Sequence, residues 1–226
     1  MEFQIVLPDL KFMFVRDDQS DSVEYFGSDQ EWFSDAWQRM AGCAPSVTAN
    51  IFLYHYQKAQ SEQYCSKKDL LALMEETWTY VTPGEGGLPS TTLFAEKVKN
   101  FGLSHEVMLD SKILQISEDK SERPSLNEMI DFIVEALEHE TPVAFLNLCT
   151  GDVDRIDKWH WVTITALKYD KEAGTATAMI SDEAISKEVD LALWLDTSSL
   201  GGGFVYFLRN QETMEKRVQS SVEKDC

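Results

Sequence analysis

The feature that most constrains this chain is a change of hydrophobic period near residue 142. Upstream of it, apolar residues recur at helical spacing: Val47, Ile51 and Tyr54, then Leu70, Leu71, Leu73 and Met74, then Leu93, Phe94, Val98 and Phe101, then Ile130, Ile133, Val134 and Leu137. Downstream, residues 142–149, 159–169, 174–181 and 203–208 are short runs rich in Val, Ile, Thr and aromatic residues, which read as strands. Helices first and strands later, with short connections, predict an α+β fold in which N-terminal helices pack on a C-terminal antiparallel sheet. The 226 residues suit one domain, 1–226, with 1–35 as a strand and loop segment and 212–226 as a charged tail.

Local signals place the elements. A long buried helix is expected from about Ala44 to Lys58. Ser66-x-x-Asp69 caps a second helix, Ser90 and Thr91 cap a third that Gly102 should close, and Ser125 with Glu128 forms a capping box for a fourth. Residues 3–7 and 11–15 are short apolar segments, and 16–34 reads as a polar loop pinned by its aromatics. A short strand is expected over 103–108 and a surface loop over 110–124. The glycine-rich stretch 82–89 has no lysine at phosphate-loop spacing and reads as a connector.

Composition excludes some functions. With 39 acidic against 20 basic residues the formal net charge is −19, which argues against nucleic acid or an anionic membrane as the main partner. No apolar run approaches the roughly 18 residues of a membrane helix, and no secretory signal opens the chain, so a cytoplasmic location is expected. The four cysteines, 43, 65, 149 and 226, have no CxxC spacing and no clustered histidines, so neither a metal nor another cofactor is expected.

One cysteine stands where chemistry is favoured. In Gly42-Cys43-Ala44-Pro45-Ser46 the glycine, the proline and the apolar run that follows put Cys43 in the first turn of the long helix. Unpaired amides and the helix dipole there favour a thiolate and supply donors for an oxyanion. Pro45 fits, because a first-turn amide has no partner to lose. The competing reading is a buried structural cysteine. A nucleophile needs a base, and the base needs an orienting group. His160, between Trp159 and Trp161, opens a strand; if residues 170 and 174 face each other across the following turn, position 182 lies opposite 162 and diagonal to 160. Asp182 then reaches His160. His55 lies deep in the long helix, too far along it to serve Cys43, while His105 and His139 suit loop and helix-end roles.

The Gly-Cys-x-Pro-Ser motif opening the first long helix, the His-Trp-Val strand and the later aspartate, in the order Cys, His, Asp, resemble the papain-like cysteine peptidase superfamily. More narrowly they are similar to the double-glycine leader peptidases that process bacteriocin precursors and to their stand-alone bacterial relatives. The resemblance implies a papain-like fold, with Cys43 as nucleophile, His160 as general base and later acid, and Asp182 as the group that holds the imidazole. It also implies Gln38, with the backbone N–H of Cys43, as oxyanion donor, although Gln38 stands five residues before the cysteine where the family usually places six. The implied reaction is cleavage of a peptide or isopeptide bond in a peptide or protein substrate. Two alternatives use the same residues: an idle fold that binds, and a thiol-dependent acyltransferase.

Overall fold

The computed structural model describes residues 1–20, 22–60 and 64–210; the charged tail expected over 212–226 lies outside them. In chain order the elements are β1 (Phe3–Val6), β2 (Phe14–Arg16), β3 (Glu24–Phe26), α1 (Ala36–Ala41), α2 (Cys43–Gln60), β4 (Cys65–Ser66), α3 (Lys67–Tyr80) and α4 (Thr91–Ser104). There follow β5 (Leu109–Ile116), α5 (Leu126–Glu138), β6 (Val143–Asn147), β7 (His160–Asp170), β8 (Thr175–Asp182), β9 (Ile185–Asp190), α6 (Leu191–Thr197) and β10 (Gly202–Arg209). The fold is α+β: β5, β10, β6, β7, β8 and β9 lie side by side in that order, and every pair is antiparallel. β1 joins the same sheet against the C-terminal half of β7, while β2, β3 and β4 form a small separate sheet.

Alternation along the central strands explains why their sequences are apolar almost throughout. Val143, Phe145, Val162, Ile164, Phe204 and Tyr206 pack with Ile130, Ile133 and Leu137 of α5. Their chain neighbours Ala144, Leu146, Trp161, Val205 and Phe207 pack with Val47 and Ile51 of α2 and Phe94 and Val98 of α4. Both faces of the sheet are therefore covered by helices, and all five residues of β6 are buried. Burying each large side chain stabilises the fold by about 1.5–3 kcal/mol before ordering costs.

The caps behave as the sequence predicts. Ser66 accepts from Asp69 N, Ser90 from Leu93 N, and Ser125 and Glu128 complete the capping box of α5. Two expectations are corrected. Gly102 does not close α4 but lies inside it, where a Cβ would come within 2.8 Å of Val107 O; glycine is there because the chain doubles back against the helix. The predicted loop over 110–124 contains most of β5, and the short strand expected over 103–108 does not form, β5 starting at Leu109 instead. Asp110, Lys112 and Gln115 made the segment look like loop, but among the described residues β5 is an edge strand paired with β10 alone, so polar side chains cost it little.

The histidine strand carries a feature that sequence reading did not anticipate. At the turn the register is Asp170 opposite Thr175, one residue away from the expected pairing. A bulge at Thr165 then shifts it, so that Ile164 faces Ile180 and Thr163 faces Ser181. Continued by one pair, this sets position 182 opposite 162. Without the bulge Asp182 would project from the wrong face. The bulged residue's carbonyl is not left unpaired: it accepts from Leu7 N at 2.9 Å.

Candidate active site

Asp35 caps α1 by accepting from Trp37 N and Gln38 N, and Gly42 joins α1 to α2. A Cβ on Gly42 would stand 2.4 Å from Gln38 O and 2.6 Å from the Phe33 ring, so only glycine allows the two helices to meet this closely. Cys43 therefore starts α2 in a fixed position, 9 % exposed, with its sulfur against the imidazole of His160. The histidine opens β7, and Asp182 closes β8.

His160 Nε2 lies 2.7 Å from Asp182 Oδ1, and the Asp182 side chain is 7 % exposed. With Nε2 engaged, Nδ1 is the nitrogen left to meet the thiol. Burial works against the charged ring, but hydrogen bonds to Asp182 and Cys43, together with their charges, outweigh it and raise the imidazole pKa to about 10. Burial alone would push the Asp182 carboxyl up; the bonds from His160 and from Lys187 reverse this and hold it below its ordinary value. Lys187 Nζ, on β9, donates to Asp182 Oδ2 at 2.8 Å and also to Glu183.

Buried amides and hydroxyls tie the cysteine helix to the two strands. Asn50, two turns after Cys43 on α2, accepts from Ser28 N at 2.8 Å and donates to Thr163 Oγ1 at 3.1 Å. Ser181 Oγ donates to Phe26 O at 2.7 Å, and Ala184 N to Ser28 O at 3.1 Å, which straps residues 26–28 across the ends of β8 and β9. Gly27, at φ 75°, is required in that strap: a Cβ would stand 2.1 Å from Ser181 Oγ. Behind His160, the fully buried Asn147 donates to Asp157 O at 2.7 Å and accepts from Trp194 Nε1 at 2.8 Å, fixing the loop that leads into β7.

The structure thus brings Cys43, His160 and Asp182 together. Gln38 is not among the residues that line the cavity at Cys43, a space of about 60 Å³; the glutamine that does line it is Gln30, from the loop between β3 and α1. His55 lies within α2 away from that cavity, His105 bonds Glu76 at 2.9 Å, and His139 caps the C-terminus of α5. Sequence reading missed Ser28, Asn50 and Lys187. Asn50 was marked by its place, since it is a buried polar residue seven after the cysteine, between Ala49 and Ile51 in the apolar first half of the helix. Ser28 and Lys187 carried no such mark, because both sit in polar stretches.

No known protein-family model matches the chain, and no curated protein matches it in sequence. Among solved structures it is similar to the crystal structure of UfSP from C. elegans, with 10 % sequence identity and a TM-score of 0.44 over 92 % of this chain. The match covers 34 % of that protein, so this chain spans about a third of its length. No helix among the described residues is long and apolar enough to cross a membrane.

Proposed function

We propose that this protein is a papain-like cysteine peptidase that cleaves a peptide or isopeptide bond through an acyl-enzyme. The observation that carries the reading is an imidazole held by a nearly buried carboxylate on one nitrogen, with a helix-start thiol lining the same cavity. In this reading the Cys43 thiolate, paired with the His160 imidazolium, attacks the scissile carbonyl. The tetrahedral oxyanion is stabilised by backbone N–H groups at the start of α2, with Gln38 of the adjoining α1 as the side-chain donor. His160 then donates its proton to the leaving amine, takes one from water in the second half-reaction, and is held in the correct orientation throughout by Asp182.

The leader-peptidase branch, with its bacterial and cytoplasmic setting, is a narrower version of the same proposal and rests on the short Gly-Cys-x-Pro-Ser motif. The competing binding-module reading draws on the low exposure of Cys43. The two are separated by iodoacetamide labelling at pH 6, resolved by peptide mapping, in the parent and in His160→Ala. Cys149 is an internal control, because a hydrogen bond from Ser199, aided by nearby backbone N–H groups, lowers its thiol to about 7 independently of His160. Labelling of Cys43 that slows about tenfold or more in His160→Ala, while Cys149 is unchanged, supports the peptidase. Equal labelling of Cys43 in both proteins overturns it.

A further inference from the structure

Taking Cys43 as the nucleophile, and in place of the double-glycine leader specificity, which puts no side chain there, we infer that the substrate carries a lysine or arginine side chain beside the scissile carbonyl, bound by the acceptor-rich cavity next to the thiol. The cavity is lined by five carboxylates, those of Asp29, Glu31, Asp157, Asp182 and Glu183, and by no lysine or arginine. Two cations outside the lining reach them: Lys187 bonds Asp182 and Glu183, and Arg39 approaches Glu31 at 3.9 Å while donating to Phe33 O and Ser34 O. Cys43 and His160 add no net charge as an ion pair. Asp29 and Asp157 have no cationic partner among the described residues.

A second, independent observation points the same way. Ser46, one turn after Cys43 on α2, is 6 % exposed and lines this cavity, yet its Oγ has no hydrogen-bond partner. Gln30 Oε1 is likewise buried without a partner at the same cavity. Unsatisfied buried polar atoms are uncommon, and both of these belong to residues that line the cavity. A group with several N–H donors and a positive charge, an ammonium or a guanidinium, matches both the unpartnered oxygens and the uncompensated carboxylates. The formal net charge of −19 adds long-range attraction for the same substrates.

The test uses the full chain and three peptidyl chloromethyl ketones that differ only in the residue next to the reactive carbon: arginine, its neutral isostere citrulline, and glutamate. The rate of Cys43 modification is followed by mass mapping at low and at 0.5 M salt, in the parent and in Asp29→Asn and Asp157→Asn. The expected result is that the arginine reagent labels Cys43 about tenfold or more faster than the citrulline one, with glutamate slowest. That advantage should shrink in salt and in each variant. Equal or faster labelling by citrulline or glutamate overturns the cationic substrate and leaves the peptidase standing. Failure of all three reagents, with iodoacetamide labelling of Cys43 indifferent to His160→Ala, overturns the peptidase and this inference with it.

Discussion

His160 and His55 are both largely withdrawn from water, yet their imidazoles are driven in opposite directions. Burial is the largest influence on each and disfavours the charged ring in both. At His55 the nearby cations Arg209 and Lys58 push the same way, and the pKa falls to about 4. At His160 a carboxylate and a thiol, each in contact with the ring, reverse the effect and raise it to about 10. The ring's chemistry is thus set by what its nitrogens touch, not by its depth in the fold. Among the described residues the His55 ring meets Thr141 Oγ1, at 3.5 Å, and the Tyr54 ring, and serves as a neutral packing group.

The largest expected effect comes from removing the partner that makes the difference. Asp182→Asn keeps the shape of the side chain but loses its charge, so burial should prevail at His160. Turnover of a cleavable substrate is expected to fall about 10²- to 10⁴-fold. The alkaline limb of the pH–rate profile, which reports loss of the imidazolium as pH rises through about 10 in the parent, should move to lower pH. A fall in rate with the limb unmoved would mean that Asp182 positions the ring without setting its charge.

The second effect is on stability, and the two histidines should give opposite slopes. The folded pKa of His160 is raised above its ordinary 6.5, so its contribution is complete below about 6.5 and is lost as pH rises through about 10. The folded pKa of His55 is depressed, so the unfolded chain takes the proton more readily and the fold is penalised as pH falls from about 6.5 to about 4. That penalty is on the order of 3 kcal/mol. Urea unfolding of the parent, His55→Gln and His160→Gln across pH 4–10 should show the acid slope flattened only in the first variant and the alkaline slope only in the second. The slopes are diagnostic even if either substitution lowers stability uniformly.

How much of this was readable from sequence differs between the two sites for a physical reason. The Cys43 helix, the histidine strand and the aspartate were legible because each rests on a local pattern: a glycine and proline at a helix start, and alternation along a strand. The pairing of His160 with Asp182 was reached through a turn register one residue off, which the bulge at Thr165 compensates. No local pattern announces the bulge, and the group that takes up its carbonyl, Leu7 N, is far away in the sequence. Lys187 and the 28–31 segment were missed for the same kind of reason: they reach the site through the β8–β9 turn and a strap across strand ends. Glu183 and Ala184 both adopt positive φ in that turn, which the sequence, lacking glycine or asparagine there, did not advertise.

A smaller effect is expected from Lys187→Met. Lys187 touches Asp182 Oδ2 while His160 holds Oδ1, so the lysine competes for the charge that supports the imidazolium. Its removal should raise the pKa of both Asp182 and His160, moving the alkaline limb up, with less than about a tenfold change in maximal rate. Lys187→Arg should restore the parent profile. A limb that moves down would show that Lys187 acts by fixing the carboxylate's position, since a lost cation cannot by itself favour the neutral ring.

The smallest effect concerns Arg209, and it asks whether burial or charge keeps His55 neutral. Arg209 stands at the end of β10 and lines the small space beside His55 with Ile51, Phe52 and Leu109. Burial is the larger cause of the depressed pKa and Arg209 the next. Arg209→Gln should therefore raise the His55 pKa, read by NMR titration of the ring protons, yet leave it below the ordinary 6.5. His160, whose partners are untouched, should not move. A return of His55 to about 6.5 would assign its shift to charge alone, and the contrast between the two histidines would then be one of partner sign with burial contributing nothing.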